Sequence, residues 1–278
     1  MPEKTVLYQL DSQSPVQMMS YVVQTKQGSL VVIDGGNVAD APFLLQFLTK
    51  LAGGIPTVEG WFLTHAHSDH IDAFMTLIKE HPSDLQVKNV YANFPPQSFI
   101  DSNEHHEAHT IREFEALMPD LPQLHTMHQG ERYCIDDVTI DVMLEPDLSV
   151  TQNAINNSAV VLRMEAGGQR VMFLADLGIE GGERLLAAYT QQELQCEMVQ
   201  MAHHGQSGVN KSVYEAIAPR VCLWSTPQWL WDNNAGEGYD TAGWQTIIVQ
   251  GWMKDMGIVH HFISKDGTAA IELPFEQL

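Results

Sequence analysis

The sequence predicts an α/β protein built from two facing β-sheets with helices on their outer sides. Short apolar runs of strand length occur in clusters in both halves of the 278-residue chain. Segments with helical spacing of apolar residues lie between these runs. No linker or low-complexity stretch separates the halves. We therefore expect one domain that spans residues 1–278.

The first half of the chain alternates predicted strands with predicted helices. Each strand is an apolar run bounded by polar or turn-forming residues, and each helix places its apolar residues on one face. The predicted strands cover 6–8, 20–23, 30–33, 61–63 and 87–92. The predicted helices cover 40–51, 71–78 and 103–118.

The second half repeats this alternation. Two glycines at 167 and 168 predict a turn between antiparallel strands, and Asp266 with Gly267 predicts a closing hairpin. The predicted strands cover 135–144, 159–164, 170–176, 198–202 and 221–224. The predicted helices cover 183–189, 213–218 and 244–256.

Composition limits the possible partners. The chain has 14 Lys and Arg against 35 Asp and Glu, a formal net charge of −21, so a nucleic acid would meet long-range repulsion. The N-terminal residues lack a hydrophobic signal core, and no apolar run reaches membrane-spanning length. Three widely spaced cysteines argue against a disulfide framework. We expect a cytoplasmic protein with a small-molecule substrate and neither nucleic acid nor membrane as partner, its oligomeric state left open.

The densest chemistry lies in one short stretch between a predicted strand and a predicted helix. His65, His67, Asp69 and His70 offer three imidazoles and a carboxylate within six residues. These donors suit zinc and other first-row metals, and an irregular loop can direct several of them to one point. The stretch therefore predicts a compact metal site.

These residues spell His-x-His-x-Asp-His, which resembles the signature of the metallo-β-lactamase-fold hydrolases. The resemblance implies a four-layer αββα sandwich with its site along one edge. It also implies two divalent metal ions, expected to be zinc, with manganese or iron as alternatives. Residues at distant strand ends would complete such a site.

Two aspartates follow predicted strands and are candidates for this completion. Asp34 ends an apolar run and precedes two glycines, so it is either part of a turn or a group that faces the site. Asp176 ends another apolar run and could instead cap a helix. In the resemblance, Asp34 orients the metal-binding histidines, as a neighbouring carboxylate can do, and Asp176 bridges the two metals.

The sequence His203-His204-Gly205 also follows a predicted strand. With Asn156-Asn157-Ser158 upstream, it resembles a branch of the family that includes the hydrolase-like domain of bacterial DNA-uptake proteins and the phosphorylcholine esterases. We expect His203 to be the metal ligand and His204 to face the substrate, although adjacent side chains point in different directions and the alternative stays open. Asn157 is expected to support the site without binding metal.

The resemblance implies two inner sets of ligands. They are His65, His67 and Asp176 for the first metal, and Asp69, His70, Asp176 and His203 for the second. Many family members place a further histidine where this chain has Asn156-Asn157, so the first metal lacks one protein ligand. His105 and His109 share a face of the predicted helix and could be recruited, but the acidic residues around them are typical of a solvated surface.

The resulting hypothesis is a metal-dependent hydrolase that uses a hydroxide shared by two metals. Asp69 would orient this nucleophile, and His204 and Ser207 would contact the substrate. The His-His-Gly branch favours phosphoesters, and the acidity of the chain favours a small or zwitterionic one. The alternatives are a lactone or thioester hydrolase of the same fold, a metal-binding module with weakened catalysis, and an iron-dependent redox protein.

Overall fold

The computed structural model describes residues 3–121 and 123–277. The strands of its first sheet are β1 Thr5–Gln9, β2 Ser20–Gln24, β3 Leu30–Asp34, β4 Thr57–Phe62, β5 Gln86–Val87, β6 Val90–Ala92, β7 Leu124–Thr126 and β15 Ala269–Leu273. The second sheet contains β8 Arg132–Ile135, β9 Val138–Leu144, β10 Val161–Ala166, β11 Gln169–Phe173, β12 Met198–Gln200, β13 Val221–Trp224 and β14 His260–Ile263.

In each sheet, a run of parallel strands extends from the centre to one edge. The first sheet runs β15-β1-β2-β3-β4-β6-β7, with β5 also paired to β4, and the second runs β14-β13-β12-β11-β10-β9-β8. Strands β3 and β4 are parallel, as are β11, β12 and β13. The carboxyl ends of parallel neighbours meet at one edge of a sheet, which is where ligands bind in open α/β sheets.

Helices cover the outer face of each sheet. They are α1 Ala41–Ala52, α2 Ser68–Glu80, α3 Gln97–Asn103, α4 His109–Leu117, α5 Ile179–Ala188, α6 Gln191–Leu194, α7 Lys211–Ile217, α8 Gln228–Trp231 and α9 Thr246–Asp255. Within the described residues, no helix combines the length and apolar character needed to cross a membrane.

Three buried apolar clusters correspond to the interfaces between these layers. The cluster between the sheets includes Tyr21, Phe62 and Phe173, with the Tyr21 and Phe173 rings edge to face at 5.1 Å. A second cluster packs α1, α2 and α4 against the first sheet, and a third packs α5, α7 and α9 against the second. Burial of apolar surface on both faces of each sheet is what holds an αββα sandwich together. The predicted fold class is confirmed.

Two predicted elements are wrong. The segment 103–118 is not one helix: α3 ends at Asn103, a single 3-10 turn covers His105–Glu107, and α4 begins at His109. The predicted closing hairpin is also absent, because β14 pairs with β13 in the second sheet whereas β15 pairs with β1 in the first. The turn at 267 therefore carries the chain from one sheet to the other.

Candidate metal centre

The loop after β4 delivers the histidine cluster to the edge of the first sheet. Helix α2 begins at Ser68, so Asp69 and His70 lie in its first turn, where a carboxylate is favoured by the unpaired amides of a helix N-terminus. The carbonyl of Asp69 accepts from the Met19 amide, and that of His70 accepts from the Gly36 amide, both near 3.0 Å. The loop between strand and helix is thus fixed against the ends of neighbouring strands.

Asp34 is completely buried at the end of β3, and its carboxylate anchors this loop through hydrogen bonds. Its Oδ1 accepts from the Thr64 amide at 2.8 Å, and its Oδ2 accepts from the Thr64 hydroxyl at 2.7 Å and from His70 Nδ1 at 2.7 Å. Burial raises the pKa of Asp34, and His70 and Thr64 oppose the rise. The carboxylate therefore sets the position of the loop and the orientation of one imidazole.

These hydrogen bonds determine which ring nitrogens of His65 and His70 are available to bind metal. The Thr64 hydroxyl donates its proton to Asp34, so its oxygen can only accept from His65 Nδ1, 3.1 Å away. His70 donates from Nδ1 to Asp34. In both imidazoles a proton is therefore held on Nδ1, which leaves Nε2 as the atom that can bind metal, and this is how hydrogen bonds orient metal-binding histidines.

Asp176 occupies the equivalent edge of the second sheet. It follows β11 and is 2% exposed. The turn before it is held by Gln200, whose side chain accepts from the Ala175 amide at 2.7 Å and donates to the Ala175 carbonyl at 3.2 Å. Asp176 Oδ1 lies 3.1 Å from His70 Nε2, and Oδ2 lies 3.9 Å from His65 Nε2. The carboxylate therefore faces histidines from the opposite sheet.

The two adjacent histidines after β12 have different environments. His204 is fully buried, with Nδ1 donating to the Ser225 carbonyl at 3.0 Å and Nε2 lying 3.1 Å from Asp69 Oδ2 and 3.3 Å from Asp176 Oδ2. The His203 side chain is 22% exposed at the rim, and its Nε2 lies 3.8 Å from Asp176 Oδ2. The structure thus places His204, not His203, among the other candidate ligands.

The backbone explains this arrangement. Both histidines have positive φ, 50° for His203 and 55° for His204, so neither follows the alternation of an extended strand. Gly205 also has positive φ, and a Cβ there would lie 2.4 Å from the Trp224 ring. Glycine is therefore required at this turn, which directs the His204 ring inward.

Two sets of donor atoms result. Asp69, His70, Asp176 and His204 offer one atom each within 4.8 Å of one another, and so do His65, His67 and Asp176. In the second set, His65 Nε2 and His67 Nδ1 are 3.1 Å apart. Asp176 belongs to both sets, so each oxygen of one carboxylate could serve a different cation.

In the larger set, nearby groups of opposite charge shift the pKa values more than burial does. Burial disfavours a charged imidazole, but Asp176 and Asp34 outweigh it and hold the pKa of His70 well above its ordinary value. Burial is likewise outweighed at His204, where Asp176 and Asp69 raise the pKa to about 9. Burial acts against ionised carboxylates too, yet His204 and His70 hold the pKa of Asp176 well below its usual range. A cation that binds here must displace protons from imidazoles.

In the smaller set, burial shifts the pKa values more than nearby charges do. Burial lowers the pKa of His65 well below its ordinary value, helped by the nearby charge of His70. Burial also lowers the pKa of His67, against the charges of Asp69 and Asp176. Both imidazoles are therefore neutral at physiological pH, the state in which imidazole binds metal.

The donor atoms of the larger set fit a metal ion better than they fit one another. His70 Nε2, His204 Nε2 and Asp176 Oδ1 are buried and make no hydrogen bond within the described part of the chain. They nevertheless approach acidic oxygens or imidazoles to within 3.1–3.3 Å. Buried polar atoms without partners are rare in folded proteins. Once a cation displaces the protons on Nε2 of the two imidazoles, these converging atoms can all serve as its ligands.

A polar cleft of about 360 Å³ opens above these donors. Asn37, Glu104, His106 and Glu107, which were not predicted to belong to the site, line it together with Asn156, which lies where many relatives are expected to have a further histidine. The histidine-rich and acidic stretch at 104–107 was a visible signal, but the predicted helix placed it on a solvated surface. The full lining is Val16, Gln17, Asn37, His67, Ser68, Asp69, Glu104, His106, Glu107, Asn156, Asp176 and His203.

Four other sequence candidates lie away from the donor sets. Asn157 donates to Glu180 Oε2 at 2.9 Å and accepts from the Gly181 amide at 2.9 Å, so it supports the start of α5. Ser207 is exposed, and its carbonyl accepts from His203 Nδ1 at 3.0 Å. His105 and His109 are both exposed, and the break between α3 and α4 removes the helical face that they were predicted to share.

Comparison with known proteins agrees with this architecture. ComE operon protein 3 of Bacillus subtilis is 26% identical over 181 residues, which are 65% of this chain and 21% of that protein, so the chain spans about a fifth of that relative. The metallo-beta-lactamase fold protein YhfI from Bacillus subtilis has a TM-score of 0.56 at 11% identity, covering 96% of this chain and 99% of that one. Zn(2+)-bound PqqB from Methylobacterium extorquens gives 0.55 at 13% identity, covering 97% and 100%.

A family profile identifies the chain directly. The profile described as the metallo-beta-lactamase superfamily matches residues 14–219, which include both donor sets. The similar structures share the fold across nearly the whole chain. The resemblance seen in the sequence motif is confirmed. The chain belongs to the metallo-β-lactamase superfamily, and its His/Asp cluster is the candidate metal site.

Proposed function

We propose that this protein is a phosphoesterase that depends on two divalent cations and acts on small, polar substrates. The observation that carries the proposal is the position of Asp176, which is shared by the two donor sets. A carboxylate between two such sets is suited to hold a pair of cations, because each oxygen can face a different ion. Zinc is the expected metal because most donors are imidazoles and carboxylates.

The ligands follow from the donor sets. His65, His67 and Asp176 would hold one cation. Asp69, His70, Asp176 and His204 would hold the other, so His204 would take the ligand role that was predicted for His203. Two cations in these positions would activate water near neutral pH and stabilise negative charge on the reacting oxygens.

Other residues of the cleft position the reactants. Asp69 lines the cleft, where its carboxylate can accept a hydrogen bond from water and orient it toward the substrate. His203 Nδ1 is engaged by the Ser207 carbonyl, which leaves Nε2 at the rim of the cleft. From there it can contact the substrate or pass a proton to the leaving oxygen. Asp34 keeps the His70 lone pair directed at the site.

The lining of the cleft supports a polar substrate. Val16 is the one apolar side chain among the residues that line it. The acyl chain of a typical thioester or lactone would need an apolar wall, whereas the phosphoryl group of a small ester carries charge that the cations would neutralise. The net charge of −21 disfavours a long polyanion.

The test combines metal analysis with a substrate panel. Purified protein loaded with Zn²⁺ or Mn²⁺ is assayed on p-nitrophenyl phosphate, bis-p-nitrophenyl phosphate, a lactone and a thioester. We expect hydrolysis of a phosphate ester, and a loss of more than about a hundredfold in Asp176→Ala together with lost metal. His109→Ala is the matched control, because this exposed histidine lies outside both donor sets, and should retain metal and activity.

Three results would contradict the proposal. Efficient hydrolysis of the lactone or thioester without any of the phosphate esters would assign the other hydrolase chemistry. Binding of fewer than about one ion per chain would favour a metal-binding module with lost catalysis. Full activity of Asp176→Ala would exclude the shared carboxylate.

A further inference from the structure

We propose that Asn156 is a protein ligand of the cation held by His65 and His67, through its side-chain oxygen Oδ1. The proposal rests on the two-cation site proposed above and adds a ligand that neither the motif nor the donor sets contain. It would supply the fourth protein ligand that the His65 set lacks, because that set has three protein donors whereas the His204 set has four.

The first argument is an unsatisfied oxygen. Asn156 is 4% exposed, and its Oδ1 has no hydrogen-bond partner within the described residues. Its Nδ2 donates to Asn153 Oδ1 at 3.0 Å, which fixes the plane of the amide. A buried amide oxygen without a donor is destabilising, because it has lost its hydrogen bonds to water and gained none from the protein. Such an atom in an otherwise well-bonded turn indicates a partner that the protein chain does not supply.

The second argument is position. Asn156 lines the same cleft as His67 and Asp176, two members of the three-donor set. Its 3-10 turn, Asn156–Ser158, leads directly into β10. The Val160 amide donates to the Thr64 carbonyl at 2.9 Å, immediately before His65. The Asn156 turn is therefore fixed against the histidine loop.

The third argument is the contrast with the neighbouring amide. Asn157 has both ends of its amide engaged, by Glu180, the Gln152 carbonyl and the Gly181 amide. Asn156 has one end engaged and the other free. Two adjacent asparagines thus have separate roles, one in supporting α5 and one facing the site.

A consequence for metal choice follows from ligand type. An amide oxygen is a neutral, hard donor, and carbonyl oxygens suit Mn²⁺ and Mg²⁺ better than imidazole does. A site with two imidazoles, a carboxylate and an amide oxygen is expected to discriminate less strongly for Zn²⁺ over Mn²⁺ than one with a third imidazole. The cation at His65 and His67 is then the more exchangeable of the two.

The experiment titrates metal-stripped protein with Zn²⁺ and with Mn²⁺ by calorimetry and counts bound ions by native mass spectrometry. Asn156→Leu removes the oxygen with little change in volume, and we expect it to weaken one of two ions by about tenfold or more and leave the other unchanged. His109→Ala, at an exposed histidine outside both donor sets, is the control and should bind both ions as the wild type does. Asn156→His should shift the weaker ion toward Zn²⁺ by about tenfold or more.

The outcomes separate the two proposals. If the wild type binds two ions and Asn156→Leu binds both with unchanged affinity, the ligand role is wrong while the two-cation site stands. If the wild type binds only one ion, the two-cation site and this ligand both fail. If Asn156→Leu does not fold, Asn156→His decides, because an unchanged ratio of Zn²⁺ to Mn²⁺ affinity would overturn the assignment.

Discussion

Replacement of Asp34 by Asn should weaken metal binding without a change in the residues that contact the metal. The carboxylate is fully buried and accepts three hydrogen bonds, two of them at Oδ2. In Asp34→Asn, an NH₂ group replaces Oδ2 and meets His70 Nδ1–H donor to donor. His70 can relieve this conflict by releasing its Nδ1 proton and keeping a proton on Nε2, the nitrogen that lies 3.1 Å from Asp176 Oδ1. The nitrogen that should bind metal is then protonated.

The size of the effect follows from the role of such partners. Loss of a group that orients a metal-binding histidine costs about 10–100-fold in metal affinity. This range corresponds to about 1.4–2.8 kcal/mol. The fold should tolerate the change, because the Thr64 hydroxyl can rotate to accept from the new amide. Asp34 has a φ of 57°, and asparagine is among the residues that adopt positive φ most readily.

Calorimetric titration with Zn²⁺ measures the affinity, and ¹⁵N-resolved NMR of the imidazoles reports the His70 tautomer. Thr64→Val is the matched control, since it removes the hydroxyl from Asp34 but keeps the bond to His70 Nδ1. It should retain the tautomer of His70. The reasoning is refuted if Asp34→Asn binds Zn²⁺ as tightly as the wild type, or if its His70 still carries the proton on Nδ1.

Three further predictions concern other parts of the chain. His204→Ala should lose one bound ion in metal analysis, because His204 belongs to a donor set. His203→Ala should keep both ions, and loss of proton transfer by the His203 imidazole should lower kcat by about 10²–10⁴-fold in steady-state kinetics. A thiol reagent at pH 8 should modify only Cys134 in the native protein and three thiols after denaturation, because the other two cysteines are buried and burial raises their thiol pKa values. Burial raises the pKa of Asp72 to about 6, so ionisation of this group destabilises the fold as pH rises from about 4 through 6. Asp72→Asn should therefore be more stable than the wild type at pH 8 by about 1 kcal/mol, after allowance for partial exposure, with the difference vanishing below about pH 4 in urea denaturation.

Most of the donor set could be predicted because it lies at the ends of apolar strands. Asp34 is the last residue of β3 and Asp176 follows β11, and residues at the carboxyl ends of parallel strands lie at one edge of their sheet whatever the loop sequence. His65 to His70 could be placed for a related reason, since an apolar strand precedes them and a helical apolar pattern follows. Strand periodicity and position along the chain were sufficient for these residues.

The choice between His203 and His204 could not be made in this way. It depends on two consecutive residues with positive φ and on the close approach of Trp224 to Gly205, which are tertiary features. The break at Glu104 has a similar origin. This residue has φ −149° and ψ 49°, and its carboxylate accepts from the Ile155 amide at 2.8 Å across the cleft. That long-range bond overrides the helical preference of the surrounding sequence.

The Val160–Thr64 hydrogen bond marks the point where the two sheets meet beside the metal centre. Every proposed cation would contact residues from both sheets, because His65 to His70 follow β4 of the first and Asp176 follows β11 of the second. The histidine loop supplies part of each ligand set locally, but Asp176 is distant in the chain, so neither set is complete until the two halves have docked. A bound cation would therefore cross-link the two sheets, and its binding free energy would stabilise their docking.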